Sequence, residues 1–175
     1  MNAAIWNVCP PRAEADALTE ALDIPPAIAR ILVNRKILTE EAAREFLFGE
    51  PGKLHDPYLM KGMDRAVARI EQAIVGGEKI LIFGDYDVDG VLSTVMLRKA
   101  LTTLGAEVDY FIPGRLTDGY GIKDEHISVP VERGAALVIS VDCGVKSVGF
   151  AALARERGVD VIITDPHRPG DAIPE

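Results

Sequence analysis

Lys79-Ile80-Leu81-Ile82-Phe83, running directly into Gly84-Asp85-Tyr86-Asp87-Val88-Asp89-Gly90, is the stretch that decides the fold of this 175-residue chain. A short, continuous apolar run bounded by turn residues reads as a strand buried on both faces, and such strands belong to parallel sheets covered by helices. The surroundings repeat that grammar. Upstream, Asp64 is placed to cap a helix carrying Val67, Ile70, Ala73 and Ile74 and ending at Gly76-Gly77. Downstream, the pattern predicts a helix from about Val91 to Leu104 closed by Gly105, and a strand from about Glu107 to Ile112. Strands at Leu137 to Val141 and Val159 to Thr164 then flank a helix from about Val148 to Arg157, closed by Gly158. Alternating strands and helices predict an α/β fold, a mostly parallel sheet with helices on both faces, over residues 61–175.

Residues 1–60 read differently. Pro10-Pro11 and Pro25-Pro26 punctuate short segments of helical spacing: Leu18 and Leu22, then Ile28, Ile31 and Leu32, then Ala42, Ala43, Phe46 and Leu47. Thr39 before Glu40 and Glu41 is an N-cap followed by acids suited to the positive helix end, and Gly49 and Gly52 end that helix. The expectation is a small helical cap joined to the main domain by a linker from Glu50 to Lys61.

Ligands of open α/β sheets bind beyond the carboxyl ends of the strands. The four strands are followed by Gly84 to Gly90, by Pro113-Gly114-Arg115, by Asp142-Cys143-Gly144 and by Asp165-Pro166-His167-Arg168. Three of the four thus end in aspartate. One such residue is ordinarily a helix cap, but carboxylates gathered at one sheet edge repel one another and are costly to desolvate unless cations neutralise them. Magnesium and manganese prefer oxygen ligands, and manganese also accepts imidazole. Asp85-x-Asp87-x-Asp89-Gly90 imitates the opening of an EF-hand loop, yet a strand precedes it and the twelfth position is Met96 rather than glutamate. The triphosphate-binding and dinucleotide-binding glycine fingerprints are absent.

Taken in order and spacing, Gly84-Asp-Tyr-Asp-Val-Asp-Gly90, Ile112-Pro-Gly-Arg-Leu-Thr-Asp-Gly-Tyr-Gly-Ile122, Val138-Ile-Ser-Val-Asp-Cys-Gly144 and Ile163-Thr-Asp-Pro-His-Arg-Pro-Gly170 resemble the first motifs of the DHH phosphoesterase superfamily. Within it the chain is most similar to the single-strand-specific exonucleases, and Trp6 and Asp56-Pro57-Tyr58-Leu59 extend the similarity towards the amino terminus. The resemblance implies manganese- or magnesium-dependent hydrolysis of phosphodiesters in single-stranded DNA, from the 5′ end. It implies Asp85, Asp87 and Asp89 as metal ligands or their support, Asp142 as a bridge between two metals, Asp165 as a further metal ligand sharing the Asp-His-His motif with His167, and Asp142 and His167 as the catalytic pair. Two close metals supply hydroxide from water at neutral pH and clamp the attacking and leaving oxygens. His167 would contact the phosphate or assist proton transfer. Arg115 is a candidate phosphate clamp, with a solvated loop arginine as the alternative. Tyr120, between Gly119 and Gly121, either lies against a nucleotide or packs its own loop. Cys143 reads as a small buried residue.

The sequence departs from that pattern in three places. Pro166 stands where the resemblance implies a metal-binding histidine, and proline offers neither a side-chain donor atom nor a backbone N–H, so one metal site is expected to be weakened. Leu92 replaces the small polar residue expected after Asp-Gly. Glu175 precedes the further aspartate motif and second domain that the resemblance implies, so the expectation is an incomplete first domain, weak or inactive alone. A fragment, a truncated product and a decayed relative all fit. The reading from a different class is a non-catalytic binding module that keeps the fold and the acidic edge.

Composition bounds the rest. The chain is 48% hydrophobic and 26% charged, with 19 Lys and Arg against 27 Asp and Glu and a net charge of -8, which argues against binding nucleic acid or membrane through a broad basic surface. Residues 79–175 hold 15 acids against 10 bases, a balance of -5 that equals the charge of Asp85, Asp87, Asp89, Asp142 and Asp165 together. Acidity there belongs to one proposed cation site and leaves a nucleic-acid substrate open. Two cysteines, Cys9 and Cys143, make neither a disulfide framework nor a zinc motif. With no leader-like start and no apolar run of about 20 residues, the expected location is the cytoplasm.

Overall fold

Asp87 sets the start of the central helix of the fold. Its carboxylate accepts from the backbone N–H groups of Asp89 (3.0 Å) and Gly90 (3.1 Å), so the helix begins at Val88 rather than near Val91. The second and third acids of the Gly84 to Gly90 stretch therefore cap and open a helix instead of lying in a loop. The computed structural model describes residues 5, 7–49 and 54–174; Trp6, Glu50 and Gly52 lie outside the described residues.

The chain divides into two compact units, Met1–Asp56 and Pro57–Glu175. The first holds α1 (Ala13–Leu22), α2 (Pro26–Asn34) and α3 (Glu40–Phe48). Pro26 occupies the first position of α2, where its missing N–H costs nothing, and Thr39 caps α3 by accepting from Ala42 N–H at 3.2 Å. Ala15, Leu18, Ala29, Leu32, Val33 and Ala43 form the core of this unit. The sequence pattern placed α2 in a different rotational phase: Ile28, Ile31 and, on α3, Phe46 are exposed, and small Ala29 and Ala43 are buried where helices approach closely.

The second unit holds α4 (Met63–Gly76), β1 (Ile80–Gly84), α5 (Val88–Thr103), β2 (Val108–Phe111), α6 (Ser128–Glu132), β3 (Leu137–Val141), α7 (Val148–Glu156) and β4 (Asp160–Thr164), with 3-10 turns at Pro57–Leu59 and Asp124–Ile127. Gly62, not Asp64, occupies the cap of α4, and no side chain caps it. All strand pairs are parallel in the order β2-β1-β3-β4, with Ile80 opposite both Val108 and Leu137, and Leu137 opposite Asp160. Alternation along β1 divides the core. Ile80 and Ile82 pack with Ala73 and Leu101 on one face, and Leu81 and Phe83 pack with Phe150 and Ala154 on the other. Both faces of the sheet are thereby covered, as the continuous apolar strands require. Among the described residues no helix is long and apolar enough to cross a membrane.

Candidate metal centre

The strand order reverses between β1 and β3, since the chain leaves β1 for β2 on one side and returns to β3 on the other. A crevice opens beyond the carboxyl ends of the strands at such a point. Asp85 follows β1 and Asp142 follows β3, so the topology brings them together there. One oxygen each from Asp85, Asp87 and Asp142 lies within 4.8 Å of the others.

Each of the three is held by its backbone. Gly90 lets the first turn of α5 press on the end of β1, because a Cβ there would lie 2.5 Å from the Asp85 carbonyl oxygen and 2.6 Å from its nitrogen. That close approach buries Asp85 to 1% exposure. Neither Asp85 carboxyl oxygen has a hydrogen-bond partner. Asp142 sits at φ 60°, a left-handed conformation tolerated by aspartate at some cost, while its N–H donates to the Thr164 carbonyl at 2.9 Å. Burial raises the Asp142 pKa above the usual carboxylate value, the Asp87 charge adds to the rise, and His167 opposes it.

These residues fit a hard divalent cation. A buried carboxylate without a donor, beside two further carboxylates, lacks the positive partner that buried charge requires, and an oxygen-only donor set suits magnesium or manganese.

The other residues singled out from the sequence fall around this group. Asp89 is exposed in the first turn of α5, outside the group of three. Asp165 is also outside it, and both its oxygens are occupied: Oδ2 accepts from Val145 N–H at 2.8 Å, and Oδ1 accepts from His167 N–H at 2.9 Å and lies 2.7 Å from His167 Nδ1. Burial alone would raise the Asp165 pKa, but the Val145 and His167 contacts outweigh it and hold it below the usual value. The bond to Asp165 raises the pKa of His167. Pro166 between them is exposed.

An aromatic row joins the loops. The Tyr120 hydroxyl lies 3.3 Å from His167 Nδ1, and the Tyr120 ring meets His167 edge-on at 6.0 Å and Tyr86 at 6.4 Å. The Arg115 guanidinium covers the Tyr86 ring at 5.3 Å. Burial, followed by the charges of Asp165 and Asp85, pushes the Tyr120 pKa up to about 12. The turn carrying Arg115 is tied by Asp118, which accepts from Gly114 N–H and the Thr117 hydroxyl, both at 2.7 Å. Cys143 is buried with Sγ 3.8 Å from the Phe83 carbonyl, and burial pushes its thiol pKa up. Tyr86 was missed from sequence, although its place between Asp85 and Asp87 was the available signal. Val145 was also missed, because a backbone N–H leaves no trace in residue type.

The model of the DHH family, N-terminal domain, matches residues 79–175. The single-stranded-DNA-specific exonuclease RecJ of Bacillus subtilis (strain 168) is 46% identical over 171 residues, covering 97% of this chain and 22% of the relative. The protein of the same name from Salmonella typhimurium is 36% identical over 166 residues, covering 94% of this chain and 28% of that relative. A crystal structure of exonuclease RecJ bound to manganese superposes with a TM-score of 0.63 and 40% identity, covering 66% of this chain and 30% of that one. The crystal structure of RecJ from Thermus thermophilus in complex with Mn2+ gives a TM-score of 0.62 and 32% identity, covering 94% of this chain and 22% of that one. The chain therefore spans between a fifth and a third of the length of these relatives.

Proposed function

The chain belongs to the DHH family, and from that premise we propose that it is the metal-holding part of an exonuclease that hydrolyses single-stranded DNA from its 5′ end with manganese or magnesium. The observation that carries this reading is the buried Asp85 carboxylate, which no donor reaches, within 4.8 Å of Asp87 and Asp142.

In this reading Asp85, Asp87 and Asp142 hold the cation, and Asp89 adds negative charge beside them. The chemistry such ions supply when bound is activation of water and neutralisation of phosphoryl charge. Asp165 positions His167 through the 2.7 Å contact at Nδ1 and favours the proton there, leaving Nε2 for the phosphate or for proton transfer to the leaving oxygen. Arg115, held over Tyr86, takes a non-bridging phosphate oxygen, and Tyr120 supports the sugar or base. We place this activity in the cytoplasm, in DNA repair and recombination.

Pro166 sets a limit on the isolated chain. It occupies the middle of Asp165-Pro166-His167, the position of the first histidine in the motif that names the family, and its side chain has no atom to give a metal. A non-catalytic module that binds metal or nucleic acid is the second reading, and Pro166 is the observation favouring it.

Calorimetric titration with manganese tests the assignment. Binding is expected, with higher affinity after Pro166→His; absence of binding to both proteins would sink it. With 5′-labelled single-stranded DNA and manganese, little nucleotide release is expected from the native chain. Vigorous release would overturn the role given to Pro166.

A further inference from the structure

The helix α5 is apolar on two opposite sides. Leu97 and Leu101 face inward and pack with Ala73, Ile80 and Ile82 against the sheet. Val88, Leu92, Val95 and Met96 recur at the i, i+4, i+7, i+8 spacing of a single helical face on the other side, and all four are between 55% and 71% exposed. A helix that is hydrophobic all round is ordinarily buried all round, and a contiguous exposed stripe marks an interaction site. Leu92 sharpens the point: the resemblance implies a small polar residue at that position, and this chain carries a leucine there.

The stripe carries a charge at each end. Asp89 stands one turn before Leu92, and Lys99 stands one turn after Val95 and Met96. Both are exposed, and neither forms an ion pair among the described residues. The remaining charged residue of the helix, Arg98, is committed elsewhere, with its guanidinium over the Tyr110 ring at 5.6 Å. An anionic lipid surface calls for basic residues along the flanks of an apolar stripe, and here acids crowd one end of it.

We propose that two copies of this chain pair through this face, α5 against α5, antiparallel about a two-fold axis at the level of Thr94. The stripe is complementary to itself in that direction. Leu92 and Met96 lie two residues to either side of Thr94, so the leucine of each copy packs on the methionine of the other. Asp89 and Lys99 lie five residues to either side, so the acid of each copy meets the base of the other. A parallel pair would instead set Asp89 on Asp89 and Lys99 on Lys99.

The test is sedimentation equilibrium of the whole chain without added metal, from roughly 10 μM to roughly 1 mM, because one helix from each copy makes a small interface and a weak dimer. A monomer–dimer equilibrium within that range is expected. Leu92→Asp is expected to weaken it about thirtyfold or more, as loss of a central anchor does. Lys99→Glu is expected to weaken it about tenfold, since two acids then face each other at both ends. Adding Asp89→Lys to Lys99→Glu is expected to restore the native equilibrium, a rescue that requires the antiparallel register. All three positions are exposed, and cooperative chemical denaturation of each variant separates loss of pairing from loss of folding. A chain that stays monomeric throughout would overturn the proposal and leave the face to a different protein. A dimer that Leu92→Asp does not weaken, or a Lys99→Glu defect that Asp89→Lys does not rescue, would overturn it as well. Manganese calorimetry decides the carboxylate assignment separately, so the two readings fail independently.

Discussion

The ends of β1 and β4 each carry an aspartate whose carboxylate is buried, and the two carboxylates are in opposite states of satisfaction. Asp85 is 1% exposed and no donor reaches either carboxyl oxygen. The Asp165 side chain is 3% exposed, and Val145 N–H, His167 N–H and the His167 ring occupy both oxygens. Burial alone therefore does not separate the two carboxylates; the hydrogen-bond balance does. The cause lies in topology. β1 is interior, and the N–H groups at the start of α5 that could have served Asp85 are taken by Asp87. β4 is an edge strand, and the loop after β3 reaches across to donate Val145 N–H.

The strongest way to break this comparison is to remove the close approach that buries Asp85. Gly90→Ala places a Cβ 2.5 Å from the Asp85 carbonyl oxygen, against backbone that cannot move aside without displacing α5 from β1. A loss of about 3 kcal/mol or more of stability is expected in chemical denaturation; a native-like midpoint would mean that α5 and β1 are not in such contact. Next in size is Asp85→Asn, expected to weaken manganese binding by about a hundredfold or more without lowering the stability of the metal-free chain. A large loss of apo stability would show that Asp85 has a donor after all.

How far this contrast could be read from sequence is instructive. The strands were legible because apolar runs bounded by glycine have few other readings, and β3 is at the expected residues. The start of α5 was displaced because Asp87 looks like a loop ligand until its carboxylate is seen capping the helix. The 3-10 turn at Asp124–Ile127 and α6 left no periodic signal, and a buried Pro130 inside α6 obscured it further. Within the site, residue type located the strand-end aspartates but could not separate Asp85 from Asp165, since the difference is made by backbone N–H groups.

Asp165→Asn sharpens the contrast from the other end. One of its two atoms becomes an amide nitrogen facing donors, so a loss of about 1–2 kcal/mol in stability is expected from the broken contacts with Val145 or His167. Manganese affinity is expected to fall by about tenfold, the lower end of the range for residues that support a site without ligating. A drop as large as that of Asp85→Asn would place Asp165 among the ligands and dissolve the distinction. In the same variant the His167 pKa is expected to fall, observable by NMR titration, because the hydrogen bond to Asp165 is the main cause of its rise.

The smallest effect concerns a buried polar group that is neither bare like Asp85 nor saturated like Asp165. His126 is 5% exposed, its Nδ1 accepts from Lys123 N–H at 3.0 Å, and its Nε2 has no partner. Its ring lies 5.3 Å from Phe83 and 5.9 Å from Phe111. Burial lowers its pKa below the ordinary 6.5, with the charges of Asp118 and Glu125 partly opposing that shift. Protonation would also turn Nδ1 from an acceptor into a donor facing the Lys123 N–H. A base whose folded pKa is depressed leaves the unfolded chain holding more protons, so stability is full above about pH 6.5 and declines as pH falls towards the folded value. Thermal unfolding from about pH 7 to about pH 5 is expected to show a steeper fall in the native chain than in His126→Gln, which keeps an acceptor for Lys123 but does not titrate. Parallel pH profiles would mean that His126 is protonated without cost, and that a half-satisfied nitrogen in this apolar pocket is solvated in a way its burial does not suggest.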